Sequence, residues 1–128
     1  QTGRDFPLWV KISPTLATSQ YGTLMQVFAE IGVKAVIATN TLPLPAPDQR
    51  DAGTGGGRLH SHAVNAVQTL MAHQHADIDI IGCGGVADPA TYNAFAEHGV
   101  KVVQYWSGLI YRGPLLAALI LDEIRTKR

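Results

Sequence analysis

The chain has 128 residues, enough for one domain, and is rich in apolar side chains: 46% of the residues are hydrophobic and 16% are charged. Ten basic and ten acidic side chains leave a formal net charge of zero, so no basic field exists that would favour nucleic acid or an anionic membrane. No apolar run is long enough for a membrane span, no signal peptide is visible, and the lone Cys83 fits a reducing compartment, which together predict a cytoplasmic protein without membrane contact.

Four short apolar runs, each bounded by turn residues, are predicted as β-strands. In chain order they cover residues 7–12, 34–38, 78–81 and 100–105. The runs are continuously apolar, which is typical of strands that are covered on both faces.

Each predicted strand is followed by apolar side chains at helical spacing, which predicts four helices. The first helix is predicted to be capped by Thr18 or Ser19 and to end at Gly32, and the second to cover residues 59–71. The third is predicted to start at Asp88 and Pro89 and to end at Gly99, and the last to begin at residues 113–114. The second helix follows a loop at 42–58 that is dense in Pro and Gly.

Strands that alternate with helices through short connections should be parallel, with right-handed crossovers. Four such units build either a small open sheet with helices on both faces or half of a (β/α)₈ barrel. The half barrel has a concave inner face and two bare edges that need a partner. A small domain cannot bury all of its apolar side chains by itself when they are this frequent, so we expect a homodimer.

Small residues end the third and fourth strands, at 82–85 and 107–108. Two such strand ends side by side expose backbone N–H groups with no side chains in the way, which is a way to hold a phosphate. In (β/α)₈ barrels this site is frequently built from the loops after the last two strands.

Five segments, in this order, resemble the C-terminal half of dihydroorotate dehydrogenases. They are residues 11–14 (KISP), 39–41 (TNT), 53–56 (GTGG), 80–86 (IIGCGGV) and 103–114 (VQYWSGLIYRGP). The resemblance implies an α/β fold in which residues 1–128 form a single half-barrel domain, (βα)₄, that matches strands five to eight of a flavin-dependent barrel.

The resemblance also implies roles for single residues. Lys11 matches the lysine that contacts the flavin ring, Thr39 lies near the flavin, and Asn40 matches the asparagine that hydrogen-bonds the pyrimidine substrate. The positions matching the contacts to the phosphate of flavin mononucleotide (FMN) are Gly55, Gly56, Gly84, Gly85, Trp106 and Ser107.

The chain also departs from the family pattern. Gly55 stands where the family usually has serine, and Trp106 replaces a smaller residue or tyrosine. Nothing corresponds to strands one to four, which in the family carry the catalytic base and most pyrimidine contacts. Two expectations therefore stay open: a fragment, or a self-sufficient half barrel with altered chemistry.

Each candidate also has a purely structural interpretation. Lys11 and Asn40 are the expected catalytic residues, but a lysine can extend its amine out of a strand end, and an asparagine is tolerated in any turn. The glycines, including Gly84 and Gly85, also permit close packing of strand on helix. Arg58, in the loop 53–58, either makes a bidentate contact to a phosphate or is an ordinary surface residue.

The five histidines show no metal-ligand spacing, so no metal site is expected. His60, close to the glycine loop, is kept as a possible proton donor, and Cys83 is expected to be a small packed residue.

The functional prediction is an oxidoreductase of dihydroorotate dehydrogenase-like ancestry. It would hold FMN, or NADPH as the alternative, and transfer hydride to or from a small carbonyl or pyrimidine-like substrate. The alternatives are a flavin-free NADPH-dependent carbonyl reductase that works as a homodimer, and a non-catalytic phosphate-binding fragment.

Overall fold

The computed structural model describes residues 6–44 and 52–126. In chain order the elements are β1 (Leu8–Ile12), α1 (Thr18–Glu30), β2 (Val33–Ala38), β3 (Leu42–Pro43), β4 (Gly53–Thr54), α2 (Gly57–Met71), β5 (Asp79–Cys83), α3 (Pro89–Ala96), β6 (Val102–Gln104), α4 (Ser107–Arg112) and α5 (Leu116–Thr126).

Within the described residues, β1, β2, β5 and β6 form one parallel sheet in that order. These are the four strands predicted from the apolar runs, with bounds shifted by up to two residues. The short strands β3 and β4 pair with each other antiparallel, inside the segment predicted as a loop. The parallel α/β class is therefore confirmed.

The two faces of the sheet differ in what covers them. Side chains such as Ile12, Val36 and Ile80 belong to the core, together with apolar residues of the helices. The alternate side chains point the other way, because successive residues of a strand face opposite sides. On that second face Trp9 and Val102 are each 55% exposed. A sheet with helices packed on one face and the other face open is the arrangement of a partial barrel, not of a doubly covered sheet.

The start of α3 agrees with the sequence prediction, whereas the start of α1 does not. Asp88 caps α3, and its carboxylate accepts the Thr91 N–H at 2.8 Å, with Pro89 as the first helical residue. In α1 the cap position is Ala17, whose N–H donates to Gln20 Oε1 at 2.8 Å. Gln20 is the third helical residue, so its side chain satisfies the backbone N–H of the cap position, whereas Ala17 has no side-chain oxygen that could cap the helix.

The C-terminal region holds one more helix than predicted. The short helix α4 precedes Gly113, which ends it at φ +83°, and α5 begins at Leu116 instead of residues 113–114. Arg112, the last residue of α4, donates to Ala87 O at 2.6 Å and to Glu123 Oε1 at 2.5 Å. These contacts across the chain stabilise a helix too short to carry its own periodic signal.

Candidate functional site

The C-terminal end of β1 and the loops that follow β2, β5 and β6 surround a cavity of about 120 Å³ at one end of the sheet. Parallel strands bring their carboxyl ends to one edge, so residues far apart in sequence meet there. Of the nine predicted site residues, the eight that line this cavity are Lys11, Thr39, Gly55, Gly56, Gly84, Gly85, Trp106 and Ser107. The ninth, Asn40, does not line it.

Two larger cavities share walls with this one and extend it in both directions. One, of about 310 Å³, reaches to Arg58 and Tyr111. The other, of about 480 Å³, lies beside Lys11, Cys83 and Gln104. Together the three cavities form a groove with a glycine-rich end and a lysine end, and we refer to it below as the groove.

At the glycine-rich end two backbone loops approach each other closely. A Cβ on Gly85, whose φ is +71°, would lie 2.7 Å from Gly56 O, and a Cβ on Gly84 would lie 2.7 Å from Ala63 Cβ. The glycines therefore do permit close packing, as their structural interpretation holds. They also leave donors: the N–H groups of Gly56, Gly85 and Val86 take no part in the turn and loop hydrogen bonds of the described residues.

The loop from β5 to α3 is held by three side chains from outside it. His60 Nδ1 lies 2.9 Å from Gly84 O, and Thr91 Oγ1 accepts the Ala87 N–H at 3.0 Å. On the far side Arg112 donates to Ala87 O at 2.6 Å. A loop fixed in this way needs little further ordering when a ligand binds, which favours affinity.

The loop from β6 to α4 contributes Ser107 and Trp106. Ser107 is half-buried, and its Oγ lies 3.3 Å from where a Cβ of Gly56 would stand, so the hydroxyl faces the glycine loop. The Trp106 side chain is 72% exposed and lies at the rim of the groove. A serine hydroxyl beside free backbone N–H groups is a donor set suited to an anion such as phosphate.

The lysine end lies on the open face of the sheet. Lys11 is exposed and stands in register with Ile37 of β2, which in turn is in register with Ile81 of β5. One layer nearer the strand ends, Cys83 and Gln104 are register partners. Lys11 thus presents an ammonium group above an apolar layer, with no neighbouring helix to cover it among the described residues.

Thr39 and Asn40 are engaged in local hydrogen bonds. Thr39 is 1% exposed; its N–H donates to Cys83 O at 2.7 Å and its hydroxyl donates to Asn40 O at 2.9 Å. Asn40 is exposed, and its Oδ1 accepts the Thr41 N–H at 2.9 Å. Thr39 therefore connects the end of β2 to the end of β5, while the Asn40 side chain lies outside the groove.

Gln104 and Arg112 were not singled out from the sequence. Gln104 could have been, because it is a polar residue at the carboxyl end of an apolar strand, where barrel enzymes keep their functional groups. Arg112 could not, because its partner Ala87 lies 25 residues away and nothing in the local pattern indicates the contact.

Two negative findings apply to residues 6–44 and 52–126. No group of three His, Cys, Asp or Glu side chains is close enough to hold a metal ion. No helix in this part of the chain is both long and apolar enough to cross a membrane.

Comparison with curated proteins finds relatives that are named dihydroorotate dehydrogenase (quinone). The chain is 34% identical over 134 residues to the dihydroorotate dehydrogenase (quinone) of Xanthomonas campestris pv. campestris (strain B100), and 35% identical over 131 residues to that of Thiobacillus denitrificans. The alignments take in 100% and 97% of this chain, and 38% and 39% of the relatives. The chain therefore spans less than two fifths of the length of these proteins.

Solved structures give the same result for the fold. Ligand-free dihydroorotate dehydrogenase from Eimeria tenella matches with a TM-score of 0.81 at 26% identity, over 96% of this chain and 36% of that one. The same enzyme in complex with ferulenol matches with a TM-score of 0.79 at 26% identity, over 95% of this chain and 34% of that one. The family model described as dihydroorotate dehydrogenase matches residues 1–127. The chain belongs to the dihydroorotate dehydrogenase family.

Proposed function

We propose that this chain forms the phosphate-binding side of a flavin site in an oxidoreductase of the dihydroorotate dehydrogenase type. The observation that carries the proposal is the groove: two glycine loops at one end and Lys11 at the other, lined by eight residues predicted from five separate segments. Family membership supports FMN as the cofactor and a dihydroorotate-like pyrimidine as the substrate class.

The glycine-rich end fits the phosphate of FMN. The phosphate would accept hydrogen bonds from the backbone N–H groups of Gly56 and Gly85 and from the Ser107 hydroxyl, which carry no side-chain obstruction. Arg58 at the far wall adds a positive charge on the same side. Bound there, FMN would supply the hydride acceptor and donor of the reaction.

Lys11 would act at the lysine end by placing a fixed positive charge beside the reacting groups. Such a charge stabilises negative charge that develops during hydride transfer. Asn40, whose side chain lies outside the groove, would hydrogen-bond a part of the substrate that extends beyond it. Because its Oδ1 already accepts the Thr41 N–H, we assign the substrate contact to the amide nitrogen, which is a donor.

We further propose that a second copy of the chain covers the open face of the sheet. Strands β1 and β6 are the outer strands of the sheet, and Leu8, Trp9 and Val102 leave large apolar areas exposed there. Pairing β6 of each copy with β1 of the other would keep all strands parallel. Light scattering should then give twice the mass of the chain, and a monomer with free edges would contradict this arrangement.

Binding of FMN tests the proposed site directly. Purified protein should quench flavin fluorescence on titration with FMN, and should bind riboflavin, which lacks the phosphate, at least tenfold more weakly because charge-assisted hydrogen bonds are lost. Equal affinity for FMN and riboflavin, or none for either, would overturn the proposal.

The role of Lys11 needs a matched control. Lys11→Ala should lower the reduction potential of bound flavin, because a positive charge that favours the reduced anionic form is removed. Lys34→Ala, an exposed lysine on β2 of the same sheet, should leave the potential unchanged. The same shift in both variants would exclude a specific role for Lys11.

The NADPH-dependent carbonyl reductase and the non-catalytic phosphate binder remain as outcomes of these titrations. Among residues 6–44 and 52–126, no feature of the groove favours NADPH over FMN. A protein that does not bind FMN but oxidises NADPH in the presence of an activated ketone would be the carbonyl reductase. A protein that binds phosphate without turnover would be the non-catalytic binder.

A further inference from the structure

His60 contacts the glycine loop from the helix side. It is the fourth residue of α2 and half-buried; its Nδ1 lies 2.9 Å from Gly84 O, and its ring packs edge-on against Phe95 with centroids 5.4 Å apart at 85°. A carbonyl oxygen can only accept a hydrogen bond, so the contact requires the proton on Nδ1.

The Gly84–Gly85 peptide is a place where the backbone needs such a contact. Both residues have positive φ, at +150° and +71°, and neither has a side chain that would fix the orientation of the peptide between them. Without an outside partner this peptide can rotate, so that its N–H and C=O exchange sides.

We infer that His60 is a positioning residue that sets the direction of the Gly85 N–H. In a planar trans peptide the C=O and the following N–H point in opposite directions. Because His60 holds Gly84 O on the α2 side, the Gly85 N–H points away from α2. Both glycines line the groove, so this donor is directed towards the ligand.

Packing supports the same orientation. A Cβ built on Gly85 would lie 2.7 Å from His60 Cβ, so the loop rests directly on the histidine. The inference rests on the proposed phosphate site, since the Gly85 N–H is one of its donors. By this inference His60 touches no ligand but determines, through the Gly85 N–H, whether the chain prefers a phosphorylated flavin.

The test compares the affinities for FMN and riboflavin in variants of the full chain. His60→Leu keeps apolar bulk and removes the donor, whereas His60→Asn retains a side-chain N–H at a similar place. In His60→Leu the FMN-to-riboflavin affinity ratio should fall about five- to tenfold, because one charge-assisted hydrogen bond is weakened. His60→Asn should recover most of the ratio, and His62→Leu, an exposed histidine on the same helix, should not change it.

The possible outcomes separate the two proposals. If the wild-type chain prefers FMN but His60→Leu keeps the same ratio, the positioning role is wrong and the phosphate site stands. If the wild-type chain shows no preference, the phosphate site fails and this inference fails with it.

A measurement on the wild-type chain covers the case in which the variants do not fold. The ¹⁵N shifts of the His60 ring at neutral pH should show the proton on Nδ1. A neutral ring with its proton on Nε2 would overturn the inference.

Discussion

Replacing Gly85 by alanine should disrupt the groove through two separable effects. At φ +71° any side chain costs about 1–2 kcal/mol of conformational energy. The new Cβ would also stand 2.7 Å from Gly56 O, a backbone atom that cannot turn away, and 2.7 Å from His60 Cβ. Overpacking of this kind adds roughly 1–3 kcal/mol, so Gly85→Ala should lower the free energy of unfolding by about 2–5 kcal/mol.

Variants of two other glycines separate the conformational cost of a positive φ from the cost of overpacking. Gly32 has a similar φ of +77° with open space around its Cβ position, so Gly32→Ala should cost only the conformational part, about 1–2 kcal/mol. Gly57, the first residue of α2, also faces open space, and Gly57→Ala should be neutral or slightly stabilising.

Urea unfolding of the three variants measures these differences, with unchanged slopes showing that the unfolded states are comparable. FMN titration measures the second consequence: Gly85→Ala should bind FMN at least tenfold more weakly, because the two loops must separate to admit the methyl group. Equal stability of the Gly85 and Gly32 variants, together with unchanged FMN affinity, would refute the reasoning.

Two further predictions concern the side chains that hold the loop from β5 to α3. Hydrogen bonds from the Thr91 backbone N–H and hydroxyl hold the pKa of Asp88 below its ordinary value. The Asp88 carboxylate therefore stabilises the fold fully above the pKa of the unfolded state, about 3.9, and this stabilisation is lost as the pH falls through the lower pKa of the folded state. Asp88→Ala should therefore cost about 1 kcal/mol at pH 7, and urea curves should show this difference shrinking below about pH 4; a constant difference would contradict it. Arg112→Ala should weaken FMN binding severalfold, because the hydrogen bond to Ala87 O is lost. Glu123→Gln should change FMN binding little, because the partly exposed ion pair contributes under ~1 kcal/mol. Equal losses of affinity in both variants would show that the ion pair, and not the bond to Ala87 O, causes the effect.

The sheet could be predicted from the sequence because its signal is local. Continuous apolar runs bounded by turn residues identified all four strands of the parallel sheet, and Asp88 with Pro89 identified the start of α3. Strand bounds were predicted less closely: the predicted run 100–105 includes Tyr105, whereas β6 ends at Gln104, because an apolar side chain just beyond a strand gives the same local signal as one within it.

The candidate site was partly predictable for the same reason. Glycine-rich strand ends and Lys11 are visible in the sequence, and the structure brings them to one groove. The contacts that shape this groove are not visible: His60 reaches Gly84 across 24 residues, and Arg112 reaches Ala87 across 25. Only the three-dimensional path of the chain determines such pairs.

The order of the strands bears on how a protein of this kind can grow. In the parallel sheet each strand pairs with the one that comes before it among these four, so no pair depends on a strand added later. A whole βα unit can therefore be gained or lost at either outer strand without breaking an existing ladder of hydrogen bonds. Duplication and fusion of gene segments could lengthen such a sheet stepwise, with every intermediate retaining the pairing it already had.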